Sequence, residues 1–397
     1  MNYLVELSMS IIDFILVFFH LYVVGFCIYP AVLTVLLLFK SKRHVLKDEV
    51  EGEADYAVIV TAYEQVQLIP DVVNSILGCS YSNFCIYVVA DNCDISSLVF
   101  EDPRVYVLRP ETVLANNIKS HFYAIQNFKR NHDRITIIDS DNIVDPKYFR
   151  ELNRFFDAGF DAVQGVRKAR NLNSELACLD EAGDIYYRYI DRFLLFNVGS
   201  SASLAGSGMA FSTQLYVTAL GGQVISGAGF DKLLQYQLVA SETRIAFAKN
   251  AVVYDTKTSK SKQLVEQRAR WINTWFKYAS WGAKMMASSV FYRSWNKFIF
   301  SIMLLRPPLF LLFLFAFMIA IVDVIYYSEF LLVLVFAGIL FLFVFFRSLF
   351  FFTADKRIYR ALISIPKFVL LQIFALVNAK RANKLSVATR HDRTNAI

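Results

Sequence analysis

The chain has 397 residues, 56% of them apolar and only 19% charged, with 37 phenylalanines and a mean hydropathy of +0.41. That composition excludes an intrinsically disordered chain and argues against a purely soluble one, and the clustering of charge in the middle of the sequence argues against a pure membrane channel. The formal net charge of +7 leaves nucleic acid, a membrane surface or an anionic substrate as partners.

Residues 14–39 form an almost unbroken apolar run whose one ionisable side chain is His20. At 1.5 Å per residue the run spans the roughly 30 Å of a hydrocarbon core, which predicts a transmembrane helix that Pro30 kinks without splitting. Cys27 lies inside it. With Cys79, Cys85, Cys93 and Cys178 it shows no CxxC pair and no regular spacing, which argues for a reducing compartment rather than a zinc site or disulfides. His20 is either a proton-relay residue or a histidine satisfied by a neighbouring helix. Lys40, Lys42, Arg43, His44 and Lys47 follow at once, which puts this end in the cytosol.

Residues 54–255 alternate between strand and helix patterns. The runs 56–61 (YAVIVT), 85–90 (CIYVVA), 105–108 and 134–138 (RITII) are apolar and rich in β-branched residues, as strands buried on both faces require. Between them, Ile69, Val72, Val73, Ile76 and Leu77 recur at helical spacing, and 119–128 reads as a second helix. The rhythm predicts an open, mostly parallel sheet, whose ligands bind beyond the carboxyl ends of the strands.

Acidic clusters fall at two such ends. Asp139-Ser140-Asp141 carries two carboxylates one residue apart, which point the same way in an extended segment and can share one hard cation, Mg²⁺ or Mn²⁺, together with a substrate diphosphate. Strand-end aspartates also serve simply as helix caps. Asp91 and Asp94, at the earlier strand end, can accept hydrogen bonds from a base or ribose or act as turn residues. Lys119 can reach a phosphate from the start of its helix or stand solvated. Further on, Gly206-Ser207-Gly208-Met209, Gly221-Gly222 and Gly227-Ala228-Gly229 permit close backbone approach or plain turns. Asp231 is a third acid able to take a proton from an attacking hydroxyl. Gln267, Arg270 and Trp271 share one helix face, suited to a diphosphate and a sugar ring or to anchoring at lipid headgroups.

A second apolar block starts near Phe298. Pro307 and Pro308 suit a first helical turn, 309–327 crosses outward, Ser328 and Glu329 turn, and 330–346 returns. Asp323 is expected close enough to the outer end to be solvated. Residues 359–379 contain Pro366 and Lys367 and precede Lys380, Arg381 and Lys384, which predicts a helix lying on the cytosolic surface. The resulting domains are a transmembrane helix (1–40), a cytosolic domain (41–290) and a membrane region (291–397) with helices near 307–327 and 330–350 and an interfacial helix near 359–379.

Taken in order, Asp91, Asp139-Ser140-Asp141, Gly206-Ser207-Gly208-Met209, Asp231 and Gln267-Arg268-Ala269-Arg270-Trp271 resemble the membrane-bound family 2 glycosyltransferases. These include cellulose, chitin, hyaluronan and poly-N-acetylglucosamine synthases and, more distantly, ceramide glucosyltransferase. The segments IIDSDNIVDP, DAVQG and GSGMAF look like the same family, and the likeness runs from Tyr56 to Trp271. The resemblance implies a GT-A fold of α/β class. It further implies an inverting, UDP-sugar-dependent hexosyltransferase, multi-pass in a cell or inner membrane.

By that resemblance Asp91 holds the uracil, Asp139 the nucleotide and metal, Asp141 the metal, and Lys119 the phosphates. Thr61, Ala62, Tyr63, Glu64, Asp94, Ser140, Gln267 and Arg270 would complete the donor site. Gly206, Ser207, Gly208 and Trp271 would meet the acceptor, and Asp231 would be the general base. Two departures stand out: Phe230 replaces the glutamate before the base, and Thr61-Ala62-Tyr63-Glu64-Gln65 replaces a Pro-Ala-x-Asn-Glu run. The acceptor is a growing polysaccharide or, alternatively, a lipid. A third reading is a non-catalytic nucleotide-sugar-binding subunit. Polymer export through three crossings calls for a homo-oligomer or a partner. Juxtamembrane Lys and Arg account for the positive charge, so no nucleic-acid partner is expected.

Overall fold

The computed structural model describes residues 2–40, 54–223 and 227–381. The basic stretch from Lys42 to Lys47, the side chains of Lys40 and Arg381, Ser226 and Lys384 lie outside that description.

Eight strands make one sheet: β1 (Tyr56–Tyr63), β2 (Phe84–Asp91), β3 (Val105–Leu108), β4 (Arg134–Asp139), β5 (Ile143–Val144), β6 (Ala162–Ala169), β7 (Met209–Ser212) and β8 (Ile245–Asp255), in the order β3-β2-β1-β4-β7-β6-β8-β5. Every residue of β2 and the first five of β1 are buried, which is why these strands read as continuous apolar runs rather than alternating ones. Each such Val or Ile stabilises the fold by about 1.5–3 kcal/mol over leaving it exposed. The expected parallel sheet is present as β3-β2-β1-β4. Past β4 it changes character, because β7 enters antiparallel to both β4 and β6, while β6 and β8 are again parallel and β5 closes the edge antiparallel to β8. The sheet is thus mixed. The reversal is made by the short MAFS strand that follows the glycine pair, too short to stand out in the sequence.

Among the described residues, four helical stretches are long and apolar enough to cross a membrane: Asp13–Phe39, Leu309–Tyr326, Ser328–Phe351 and Lys356–Asn378. The first belongs to one helix, Asn2–Lys40, which runs through Pro30 unbroken. The next two are separated by Tyr327 alone, a tighter turn than Ser328 and Glu329 suggested. Val23, Val24 and Cys27 pack with Leu312, Ile319, Leu334 and Ala337 to join the three. Asp323 departs from expectation. It is buried, not solvated, with its Oδ2 3.5 Å from His20 Nδ1, so the histidine faces a neighbouring helix. The stretch expected on the surface also meets the length and apolarity of a crossing. It is interrupted by a 3₁₀ turn, Leu362–Ser364, and packs through Ala375 and Ala379 on Ala269 and Ile272 of the long helix Ser261–Phe291.

The apolar helices and the sheet domain are fastened together by polar contacts at and just before a π-helical turn, Arg188–Leu194. Arg306, 5% exposed, donates to both carboxylate oxygens of Asp191 at 2.7 and 2.8 Å. Arg347 donates to the Tyr189 hydroxyl at 2.8 Å, and the Leu309 amide to that of Tyr187 at 3.2 Å.

Candidate active site

The register of the parallel strands sets the site. Tyr63 lies opposite Asp91, and Thr61 lies opposite Asp139, so the carboxyl ends of β1, β2 and β4 finish level. Beyond them the chain turns sharply, with left-handed backbone at Glu64 and Asn92. Thr61 and Tyr63 are half-buried, Ala62 is buried and Glu64 is exposed.

Asp91 is 2% exposed, and its two oxygens accept hydrogen bonds from the amides of Leu114 (2.9 Å) and Ala115 (2.7 Å). It thereby fastens the loop that leads into the helix Asn117–Gln126. Asn116 caps that helix by accepting from the Lys119 amide, and the Lys119 side chain stands exposed in the first turn. Asp94 is exposed and accepts from the Ser96 amide at 2.9 Å; that hydrogen bond holds its carboxyl below the usual range. In this structure it closes a local turn.

The Asp139-Ser140-Asp141 turn is braced from below. The Asp139 amide donates to Ser207 Oγ (3.0 Å), Ser207 Oγ donates to Asn142 Oδ1 (2.6 Å), and Asn142 Nδ2 donates to Asp141 Oδ1 (2.9 Å). Ser207 and Asn142 are fully buried. The Ser207 hydroxyl, expected at the acceptor, is therefore engaged in holding the turn. Gln164, also fully buried, anchors the same loop: its Nε2 donates to the carbonyls of Ser207 and Gly208, and its Oε1 accepts from the Ala205 amide. Gly208 needs its hydrogen, since its φ is +64° and a Cβ would stand 2.9 Å from Val253. Gly206, in contrast, faces open space.

Electrostatics links several of these acids. Burial, joined by the charges of Asp141, Asp255 and Asp231, pushes the Asp139 carboxyl up to about 6 against the opposing pull of Arg167. Asp141 and Asp231 thus stand in one field with Asp139. Asp231 sits in the first turn of the helix Phe230–Ala240, and its Oδ2 pairs with Lys232 at 3.1 Å. Phe230 is buried edge-to-face against His121, 5.0 Å between centroids, and His121 Nδ1 lies 2.6 Å from the Tyr216 hydroxyl. Burial pushes this histidine down to about 3.

Gln267, Arg270 and Trp271 lie along the long helix, with Trp271 42% exposed and Arg270 held below the ordinary arginine range by burial. The Gln267 Oε1 is buried with no hydrogen-bond partner. Arg268, between them, ion-pairs with Asp180 and stacks over the Trp271 ring at 4.2 Å. Asp180 belongs to the helix Glu175–Tyr187, whose Glu181 and Asp184 meet Lys257. Against burial, which favours the neutral amine, Asp184, Asp255 and Glu181 hold Lys257 above the usual lysine range. Asp255 also accepts from Arg167 at 2.7 Å, closing a path of charge from the Arg268 helix to Asp139. Sequence reasoning missed Asn142, Arg167, Asp180, Asp255 and Lys257. Asp255 carried the one usable signal, an acid at the end of an apolar run.

Among the described residues no group of three or more His, Cys, Asp or Glu side chains is arranged to hold a metal. Two carboxylates in excess of local positive charge, one raised to about 6, do fit a divalent cation whose remaining ligands come from a diphosphate.

A family model described as glycosyltransferase-like family 2 matches residues 54–274, more than half of the chain. The mannosyltransferase PcManGT from Pyrobaculum calidifontis, solved with GDP-Man and Mn²⁺, aligns at a TM-score of 0.57 and 13% identity over 91% of this chain and 99% of its own, a likeness of fold. S. aureus TarS 1–349 with UDP-GlcNAc aligns at 0.42 and 13% identity over 83% and 92%. No curated protein matches the sequence.

Proposed function

The chain belongs to glycosyltransferase-like family 2, and from that premise we propose that it is a membrane-embedded, inverting β-glycosyltransferase that moves a sugar from a UDP-sugar to the hydroxyl of a growing polysaccharide. What supports this reading is the level ending of β1, β2 and β4, which brings Asp91 and the Asp139-Ser140-Asp141 turn to one edge of the sheet, with Asp231 contributing to the field that raises Asp139. The acceptor hydroxyl attacks the anomeric carbon and gives its proton to Asp231, while the bond to the UDP oxygen breaks on the opposite face. Asp139 and Asp141 are the residues that would hold Mg²⁺ or Mn²⁺, which supplies neutralisation of charge on the departing diphosphate.

Asp91 and the end of β1 (Thr61, Ala62, Tyr63, Glu64) line the nucleotide side, and Lys119 with Arg270 faces phosphate. Trp271, held flat by Arg268, offers a sugar platform. Gly206 gives the acceptor room to approach the backbone. The catalytic domain is cytosolic, and 359–379 rests on the membrane surface. A single transfer to a lipid acceptor is the second reading, favoured by the small number of candidate spans for lining a sugar-wide channel.

The test is nucleoside diphosphate release by the purified chain with Mn²⁺ or Mg²⁺. The donor panel comprises UDP-sugars and GDP-mannose, the nucleotide-sugar bound by the Pyrobaculum enzyme. Release from one donor, lost in Asp141→Ala, supports the reading, and product sizing then separates polymer from single transfer. No release from any donor, with sugar and lipid acceptors supplied, overturns it. Asp231→Asn is expected to abolish transfer while donor binding by calorimetry stays near wild type; loss of binding would remove Asp231 from the role of base.

A further inference from the structure

A cavity of about 390 Å³ opens where the helix Ser328–Phe351 ends against the sheet domain, walled by the stretch after β6 and by the Phe352–Ile358 segment. Asp139, Asp141 and Asp231 do not line it, although its Glu181 also belongs to the charge path that ends at Asp139. Lys168, on its wall, alternates along β6 with Arg167 and so leaves the strand on the face opposite the one that meets Asp139.

The lining is cationic. Lys168, Arg170, Arg188 and Arg357 face Glu181 and Asp355. Both acids are already paired, Glu181 with Arg188 at 3.1 Å and with Lys257, and Asp355 with Arg357 at 3.0 Å. Lys168 and Arg170 have no carboxylate partner among the described residues. Arg188 is 2% exposed, stacks over Phe352 at 5.3 Å, and keeps a buried Nε with no acceptor. A multi-oxygen anion is the group this wall lacks.

The position of the cavity supplies the other half of the argument. Phe350 and Ile363, which flank the lining stretch in the chain, are 81% and 85% exposed, a placement that suits lipid rather than water. Leu172, Ile185, Phe352 and Ile358 make the inner wall partly apolar. We propose that this cavity binds the phosphate of an anionic phospholipid from the adjoining leaflet, at a site distinct from donor and acceptor. Binding here does not depend on which sugar is transferred or on the chain being catalytically active.

The experiment is native mass spectrometry of the detergent-purified full chain titrated with dioleoylphosphatidylglycerol, beside dioleoylphosphatidylcholine and inorganic phosphate. Wild type is expected to retain one phosphatidylglycerol, and Lys168→Gln/Arg170→Gln to retain it about tenfold less well. Lys249→Gln, at an exposed site on β8, is expected to match wild type. Should the double variant fail to fold, Arg357→Gln on the facing wall reads the same loss. Equal retention by the variants, or equal retention of phosphatidylcholine, overturns the proposal. Thermal stabilisation by inorganic phosphate without phosphatidylglycerol retention overturns the lipid as the source.

Discussion

Ser207 shows how one buried hydroxyl governs a surface site. It receives the Asp139 amide and donates to Asn142, which in turn donates to Asp141, so the aim of both carboxylates depends on it. Ser207→Ala strands two buried polar groups at a cost of about 1–3 kcal/mol. It is expected to raise the Mn²⁺ concentration for half-maximal donor turnover about tenfold, as loss of an outer-sphere support does. His121 sets a pH dependence. Its folded pKa is about 3 against an ordinary 6.5, so between those values the unfolded chain binds the proton and the folded one does not. Stability from this group is complete above pH 6.5 and falls with acid, by about 1.4 kcal/mol per pH unit. Melting temperature is expected to drop from pH 6.5 to 5, and His121→Gln, which can keep the Tyr216 hydrogen bond, to flatten that drop.

At the scale of elements, the loop before Asp231 is held by contact with the long helix. Gly229 has φ +103°, and a Cβ there would stand 2.8 Å from Tyr278 and 2.9 Å from Thr274. Gly229→Ala is expected to cost about 1–3 kcal/mol and, by displacing Asp231, to lower kcat while leaving the donor KM near wild type, as steady-state kinetics would read. The strands of the β3-β2-β1-β4 half were legible because burial on both faces leaves an apolar signature, and their terminal acids were legible because a carboxylate after such a run is conspicuous. β7 was not, since four residues carry no period. The brace of Ser207, Asn142 and Gln164 was invisible for a different reason: its members are far apart in the chain and only the reversal of β7 brings them under the turn. Asp323 was misjudged because its partner, His20, lies on a helix 300 residues earlier, and sequence depth alone counted it as near water.

For the whole molecule, the Arg306–Asp191 pair is the joint to test, since two charges lie buried between the apolar helices and the sheet domain. Asp191→Asn or Arg306→Met leaves a charge unpaired and is expected to cost about 3–5 kcal/mol in thermal unfolding in detergent, whereas Asp191→Leu/Arg306→Met together is expected to recover most of it. A double-mutant cycle on melting temperatures would measure the difference. With Arg347 holding Tyr189 beside it, the joint ties the apolar helices directly to the sheet domain. On the proposed membrane-embedded reading the protein would work like a depth gauge: this joint fixes the height of the strand ends above the apolar helices, and an acceptor would react only when its own reach from the lipid fits that height.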